Sequence, residues 1–232
     1  MHQSSSLHNF FIQVHPVHQV VNFDPQFEKL IKMDFTASNP TMQTKVLMDT
    51  PSFCTWVNGE VIDKGYKFGI GGYNELRTVY DRSPVFDGQE GEPRRLHLGL
   101  DIWGAVAPPV FSVMDGIVHS FAFNNAMGDY GATIILKHEM EGRYFHSLYG
   151  HLSRADLTGL EKGQLIEGGS LLAHFGALEE NGFWPPHLHF QLIVDMEGME
   201  GDYPGVCRFS EREKYLANCP NPNLLLNLEQ FI

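Results

Sequence analysis

Residues 185–194, PPHLHFQLIV, set two imidazoles two positions apart in an otherwise apolar run behind a double proline. Side chains alternate faces along a strand, so Leu188, Phe190, Leu192 and Val194 fall on one side and His187, His189 and Gln191 on the other. The first face reads as core and the second as a site. Residues i and i+2 of a strand lie roughly 6.5 to 7 Å apart at the backbone, close enough for both rings to converge on one ion or one reacting atom. Imidazole suits either task, because it ligates metals and exchanges a proton near neutral pH. The chain has twelve histidines, so an H-x-H pair alone does not separate a site from coincidence. Pro185 and Pro186 restrict the approach to the strand and would order the pair in advance.

A second cluster, RRLHLGLDIWG, holds His97 and Asp101 four positions apart. On a helix they would share a face, but Gly99 and its surroundings oppose a helix here. On a straight strand they would stand roughly 13 Å apart, too far to meet at one ion. A bend near Asp101 is therefore required, and Trp103-Gly104 ahead of APP is the expected turn. A third piece, SLYGHLS, puts His151 after Gly150 at the end of an aromatic run.

In this order, H-x-G-x-D, Y-G-H-L and H-L-H-F resemble the motifs of the M23 (lysostaphin- and LytM-type) zinc metallopeptidases. The likeness runs from His97 through Leu192 and takes in PVFSVMDGIV and the glycine-bounded turn EKGQLIEGG. The resemblance implies that His97, Asp101 and His189 ligate Zn²⁺, with His151 and His187 as the catalytic histidines. The residues themselves leave His187 and His189 interchangeable, since both rings lie on one face. It also implies hydrolysis of a peptide or amide bond by metal-activated water, with peptidoglycan stem or bridge peptides as the substrate class. Two imidazoles and one carboxylate would leave zinc a net positive charge and a fourth position for water or substrate. There is no H-E-x-x-H helix, so the two remaining histidines would supply the proton transfers.

Two other readings compete. One is a non-catalytic LytM-like module that binds a partner or regulates another enzyme; the presence of all five expected side chains weighs against it. The other is a cupin-type oxygenase, which wants a glutamate four or five residues after the pair and a later histidine. Those positions are Ile193 and Val194, and no histidine follows His189, so this reading is discarded.

The elements that must position these residues are mainly strands. From YKFGIGGYNE onward, short β-type runs alternate with turn signals at Asp115-Gly116, Glu141-Gly142 and Gly168-Gly169. They predict a mainly β (α+β) fold, and the resemblance implies a LytM-like antiparallel sheet. Residues 1–64 are expected to form a short helical N-terminal arm, and residues 65–232 the metallopeptidase-like domain with its tail. Within the arm, Asp24 as cap, Pro25 at the first position and the stripe Phe27, Leu30, Ile31 predict one helix. A second is expected after Asn39-Pro40, running until Pro51 interrupts it. The tail, CPNPNLLLNLEQFI, predicts a turn and a packed segment. His138 and His146 are expected in structural roles, and His2, His8, His15 and His18 at the surface. Arg77 suits either a substrate carboxylate or an ion pair.

Composition sets outer bounds. At 232 residues, 43% hydrophobic and 19% charged, the chain is that of an ordinary globular protein. A formal charge of −12 disfavours attachment to nucleic acid or to an anionic membrane, so a substrate must be recognised locally, in a cleft. No apolar run approaches the roughly 18 to 20 residues of a membrane helix. The first 21 residues contain no Lys or Arg and no continuous apolar segment, and three cysteines form no C-x-x-C. The expectation from these features is a reduced, cytoplasmic protein rather than an exported one.

Overall fold

The computed structural model describes residues 9–42, 44–87 and 91–232; His2 and His8 lie outside them. In chain order the elements are β1 (Leu30–Met33), α1 (Thr44–Met48), α2 (Thr50–Glu60), β2 (Phe68–Gly71), β3 (Leu96–His97), β4 (Leu100–Trp103) and β5 (Pro109–Phe111). They continue with β6 (Gly116–Asn124), β7 (Gly131–Met140), β8 (Arg143–Leu152), β9 (Leu165–Ile166), β10 (Leu171–His174), β11 (His187–Ile193), β12 (Val206–Cys207), α3 (Arg212–Asn218) and α4 (Asn223–Leu226). Eight strands form one sheet in the order β1-β2-β4-β11-β8-β7-β6-β9, and two short ribbons pair β10 with β5 and β12 with β3. Only β1 and β2 run parallel in the large sheet; its other neighbours are antiparallel. The fold is thus mainly β, as the spacing of the turn signals predicts.

The central strands follow from their sequences. β7 and β8 meet at Glu141-Gly142, both with positive φ (51° and 72°), the conformation a two-residue hairpin turn needs. In β11, Leu188, Phe190 and Leu192 enter the main core with Tyr149, Ile134 and Leu136, while His187, His189 and Gln191 take the other face. Each fully buried aliphatic or phenyl side chain contributes about 1.5–3 kcal/mol. The core side of the sheet is covered by Phe10, Phe11 and Val14 at the start of the chain, and by Leu225 and Leu228 at its end. A second aromatic cluster, Phe35, Phe53, Trp103 and Trp184, binds α2 to the margin of the site.

Several expectations need correction. The helix expected behind the Asp24 cap is a single turn, in which the Asp24 carbonyl accepts the N–H of Phe27 and Glu28, followed by strand β1. The apolar stripe fails because Phe27 points into solvent, 84% exposed, whereas Leu30 and Met33 become buried only by pairing alongside Phe68 and Gly71. Pro51 does not interrupt a helix but opens α2. It sits at the first turn, where its missing N–H costs nothing, and Asp49 caps by accepting from Ser52 N at 2.9 Å. The bend that brings His97 towards Asp101 precedes Asp101 rather than following Trp103. β3 pairs with β12, β4 pairs with β11, and the chain passes from one to the other through Leu98-Gly99.

No helix among the described residues is long and apolar enough to cross a membrane. Cys54, Cys207 and Cys219 are all unpaired, and His15 and His18 are exposed.

Candidate metal centre

Strand register assembles the site. His189 on β11 lies directly across from Asp101 on β4 and from Gly150 on β8, and His187 lies across from Trp103. His97 arrives from the β3–β12 ribbon. Gly99 lets the layers close: a Cβ there would stand 2.4 Å from Cε1 of His189. The glycine of H-x-G-x-D is thus required by a ring ninety positions later in the chain.

His97, Asp101 and His189 are 1%, 2% and 3% exposed. His97 Nε2 lies 3.0 Å from His189 Nδ1 and 3.3 Å from Asp101 Oδ1, and His189 Nδ1 lies 3.0 Å from the same oxygen. The outer contacts settle which atoms carry hydrogen. His97 Nδ1–H donates to the Gly72 carbonyl at 2.9 Å, leaving a lone pair on Nε2. The Gln191 amide nitrogen donates to the Pro204 carbonyl, so its oxygen faces His189 and accepts Nε2–H at 2.9 Å. That leaves a lone pair on His189 Nδ1. Three lone pairs therefore converge with no hydrogen between them, an arrangement that repels itself unless a cation lies at its centre. Two nitrogens and one carboxylate oxygen are donors that zinc accepts, so the residues fit the metal. Among the described residues this is the only group of three such side chains with converging ligand atoms.

Electrostatics agree. Burial, with the charge of Arg77 added, pushes His97 down to about 4, so the ring stays neutral at pH 7. Burial alone would raise the Asp101 carboxyl, but the charges beside it, His97 once protonated at low pH and Arg77 throughout, outweigh burial and hold the group well below the usual carboxylate range. Arg77, itself 2% exposed, donates to Asp101 Oδ2 at 2.5 Å. It is the ion-pair partner of a buried carboxylate, which is one of the two roles its sequence position suggested.

His151 and His187 stand beside this cluster with ring centroids 4.1 Å apart. His187 stacks on Trp103 at 3.8 Å and 10°, and its Nδ1–H donates to the Pro185 carbonyl at 2.8 Å. Its ring is therefore held on one face and at one edge, and the double proline supplies the acceptor. His151 has a left-handed backbone (φ 62°), and its Nδ1–H donates to the Asn181 carbonyl at 2.8 Å. In both, Nε2 keeps its lone pair. Burial pushes His187 down to about 4; burial, reinforced by His187, holds His151 well below the ordinary range. Both rings border an open cleft walled by Tyr80, Phe86, Trp184 and Tyr130.

All five residues singled out by the motifs thus meet beside the central strands β4, β11 and β8, and His138 and His146 lie elsewhere. The sequence reading placed Gln191 on the face of the two histidines without giving it a role. It missed the Gly72 carbonyl and the Trp103 stack, which left no local signal.

The site is a buried His₂Asp donor set at the floor of a cleft on a strand-rich sheet, compatible with metal binding. Residues 95–200, the segment that contains all five side chains, match the model of Peptidase family M23. An L-Ala--D-Glu endopeptidase of Bacillus subtilis (strain 168) is 27% identical over 60% of this chain, and the match spans 43% of that protein's length. Among solved structures, a zinc containing peptidase from Vibrio cholerae is 28% identical, with 53% of this chain and 32% of that one covered and a TM-score of 0.39. The catalytic domain of lysostaphin from Staphylococcus simulans is 20% identical, with 70% and 96% covered and a TM-score of 0.42.

Proposed function

We propose that this chain is a zinc-dependent metallopeptidase that hydrolyses a peptide or amide bond, with peptidoglycan-type stem or bridge peptides as the substrate class. The observation that carries the proposal is the convergence of three hydrogen-free lone pairs from His97, Asp101 and His189. The M23 match and the similarity to an L-Ala--D-Glu endopeptidase support the peptide substrate.

His97 Nε2, Asp101 Oδ1 and His189 Nδ1 would hold the ion, whose chemistry when bound is Lewis acidity towards a carbonyl and towards water. The chain's own residues do the rest. His151 and His187 each offer an unprotonated Nε2 to the cleft: one accepts the proton of the attacking water and, now an imidazolium, steadies the developing oxyanion or hands that proton to the leaving amine, while the other orients the water by accepting its second hydrogen. Their Nδ1–H bonds to backbone carbonyls fix the tautomer that leaves Nε2 basic. The Trp103 stack keeps His187 from turning away, and the aromatic walls exclude bulk water from the reacting bond.

The test is metal analysis of the purified protein together with a digest of muropeptides, L-Ala–D-Glu peptides and oligoglycine. One zinc per chain with cleavage that a chelator abolishes is the expected result. One zinc per chain without cleavage of any of these would sink the peptidase reading in favour of a metal-containing binding module.

A further inference from the structure

The Asp101 carboxylate has two oxygens, and they are used differently. Oδ1 faces both imidazoles at 3.0 and 3.3 Å, whereas Oδ2 accepts from Arg77 at 2.5 Å. The guanidinium is held from all sides. Its Nε donates to Glu75 Oε2 at 2.7 Å, NH2 to the Gly72 carbonyl at 3.1 Å and NH1 to the Tyr80 hydroxyl at 3.3 Å, and the Phe35 ring lies 5.0 Å from its centre. The Gly72 carbonyl also accepts His97 Nδ1–H. One backbone oxygen therefore ties Arg77 to His97 while Arg77 ties itself to Asp101, so two of the three donors are braced as a unit. The fit is close: a Cβ on Gly71 would stand 2.8 Å from Arg77 NH2.

A carboxylate with one oxygen committed to a guanidinium presents only the other. Zinc is satisfied by few donors and accepts nitrogen readily. Manganese and calcium prefer more oxygen donors, and calcium often takes both oxygens of one carboxylate. Arginine cannot relax this restriction by losing its proton. We propose that Arg77 is a positioning residue that sets metal selectivity: by occupying Oδ2 it confines Asp101 to single-oxygen ligation and so favours zinc over manganese. The proposal rests on the reading of His97, Asp101 and His189 as metal ligands.

The experiment is competition of zinc and manganese against a chromophoric chelator, on the full chain and on Arg77→Gln, Arg77→Lys and Glu75→Gln, with metal-free circular dichroism melts to establish which variants fold. The wild type is read first. Failure to bind one zinc per chain overturns the ligand reading itself, and this proposal with it. Given wild-type binding, Arg77→Gln is expected to lose about 10- to 100-fold in zinc affinity, as changes to groups behind a ligand do. Its manganese affinity is expected to hold or rise, contracting the zinc-to-manganese ratio by about tenfold or more. Lysine keeps the charge but cannot reach Asp101, Glu75 and Gly72 together, so a smaller contraction of about threefold or more is expected. Glu75→Gln, which loosens the guanidinium from behind, is expected to contract the ratio about twofold to threefold, and it decides the matter if neither Arg77 variant folds. Equal loss of both metals in the folded variants, leaving the ratio unchanged, is the result of a purely structural role and overturns the inference.

Discussion

Two groups of histidines show the same ring spacing and differ in kind. His97 and His189 stand with ring centroids 4.9 Å apart at 74°; His119 and His146, on β6 and β8, stand 4.9 Å apart at 76°. Ring spacing therefore does not distinguish them. The surroundings do. In the first pair the outer nitrogens are spent on Gly72 and Gln191, so the inner ones face each other and a carboxylate with lone pairs only. In the second group His119 Nδ1 is paired with the Ser120 hydroxyl, and neighbouring His138 spends both nitrogens, on the Asp115 carbonyl and the Ser147 hydroxyl. His146 Nδ1 is buried without a partner, but the charges around this pair are Lys137, Lys162 and Glu200, and the one carboxylate among them is paired with Lys162. A metal cluster is thus specified by what holds the far side of each ring.

The sharpest way to break this comparison is to truncate one ring from each group. His189→Ala is expected to lower bound zinc from one per chain to near zero and to abolish turnover, whereas His146→Ala leaves zinc content unchanged; elemental analysis of both reads the outcome. Equal loss in the two variants would erase the distinction. Within the first group, His151→Ala is expected to keep its zinc and lose about 10²- to 10⁴-fold in turnover, the usual scale for a proton-transfer residue. Zinc loss there equal to that of His189→Ala would overturn the division of roles.

The second group makes its own prediction, in stability. Burial pushes His138 down to about 4, below the roughly 6.5 of an unfolded histidine. A depressed folded value means that the unfolded chain binds the proton first. The contribution is therefore complete above about pH 6.5 and lost as pH falls towards 4, by about 3 kcal/mol over that window. Urea unfolding across this range should show the slope, to which His97, His146, His151 and His187 also contribute, and His138→Gln should lower it by the share of one histidine; an unchanged slope would refute the assignment. A smaller effect, about 1–3 kcal/mol, is expected for Gly99→Ala, whose new methyl must push the His189 ring aside. Its zinc affinity should fall along with its melting temperature. Smallest is Lys162→Ala, which breaks an exposed, solvent-screened ion pair with Glu200 beside His119 and should leave the melting temperature essentially unchanged.

What could be read from the sequence follows the range of each interaction. Alternation along β11 is local, so the apolar face of Leu188, Phe190 and Leu192 and the polar face of the two histidines were both legible. The motif pattern named five side chains that the fold brings together. Three features depended on partners far along the chain and left little local trace. The bend falls at Gly99 because His189 needs the space above it. Leu30–Met33 is a strand because β2 offers an open parallel edge, which outweighs a helix-like stripe. Arg77 reaches Asp101 across twenty-four positions, so composition alone could not choose between its two uses.

The left-handed backbone at His151 has an engineering consequence. Glycine rests in that conformation more easily than histidine does, by something on the order of 1 kcal/mol. A screen that rewards heat resistance alone will be drawn to replace this ring, and its winners will be sturdy proteins missing one of the two imidazoles that face the cleft.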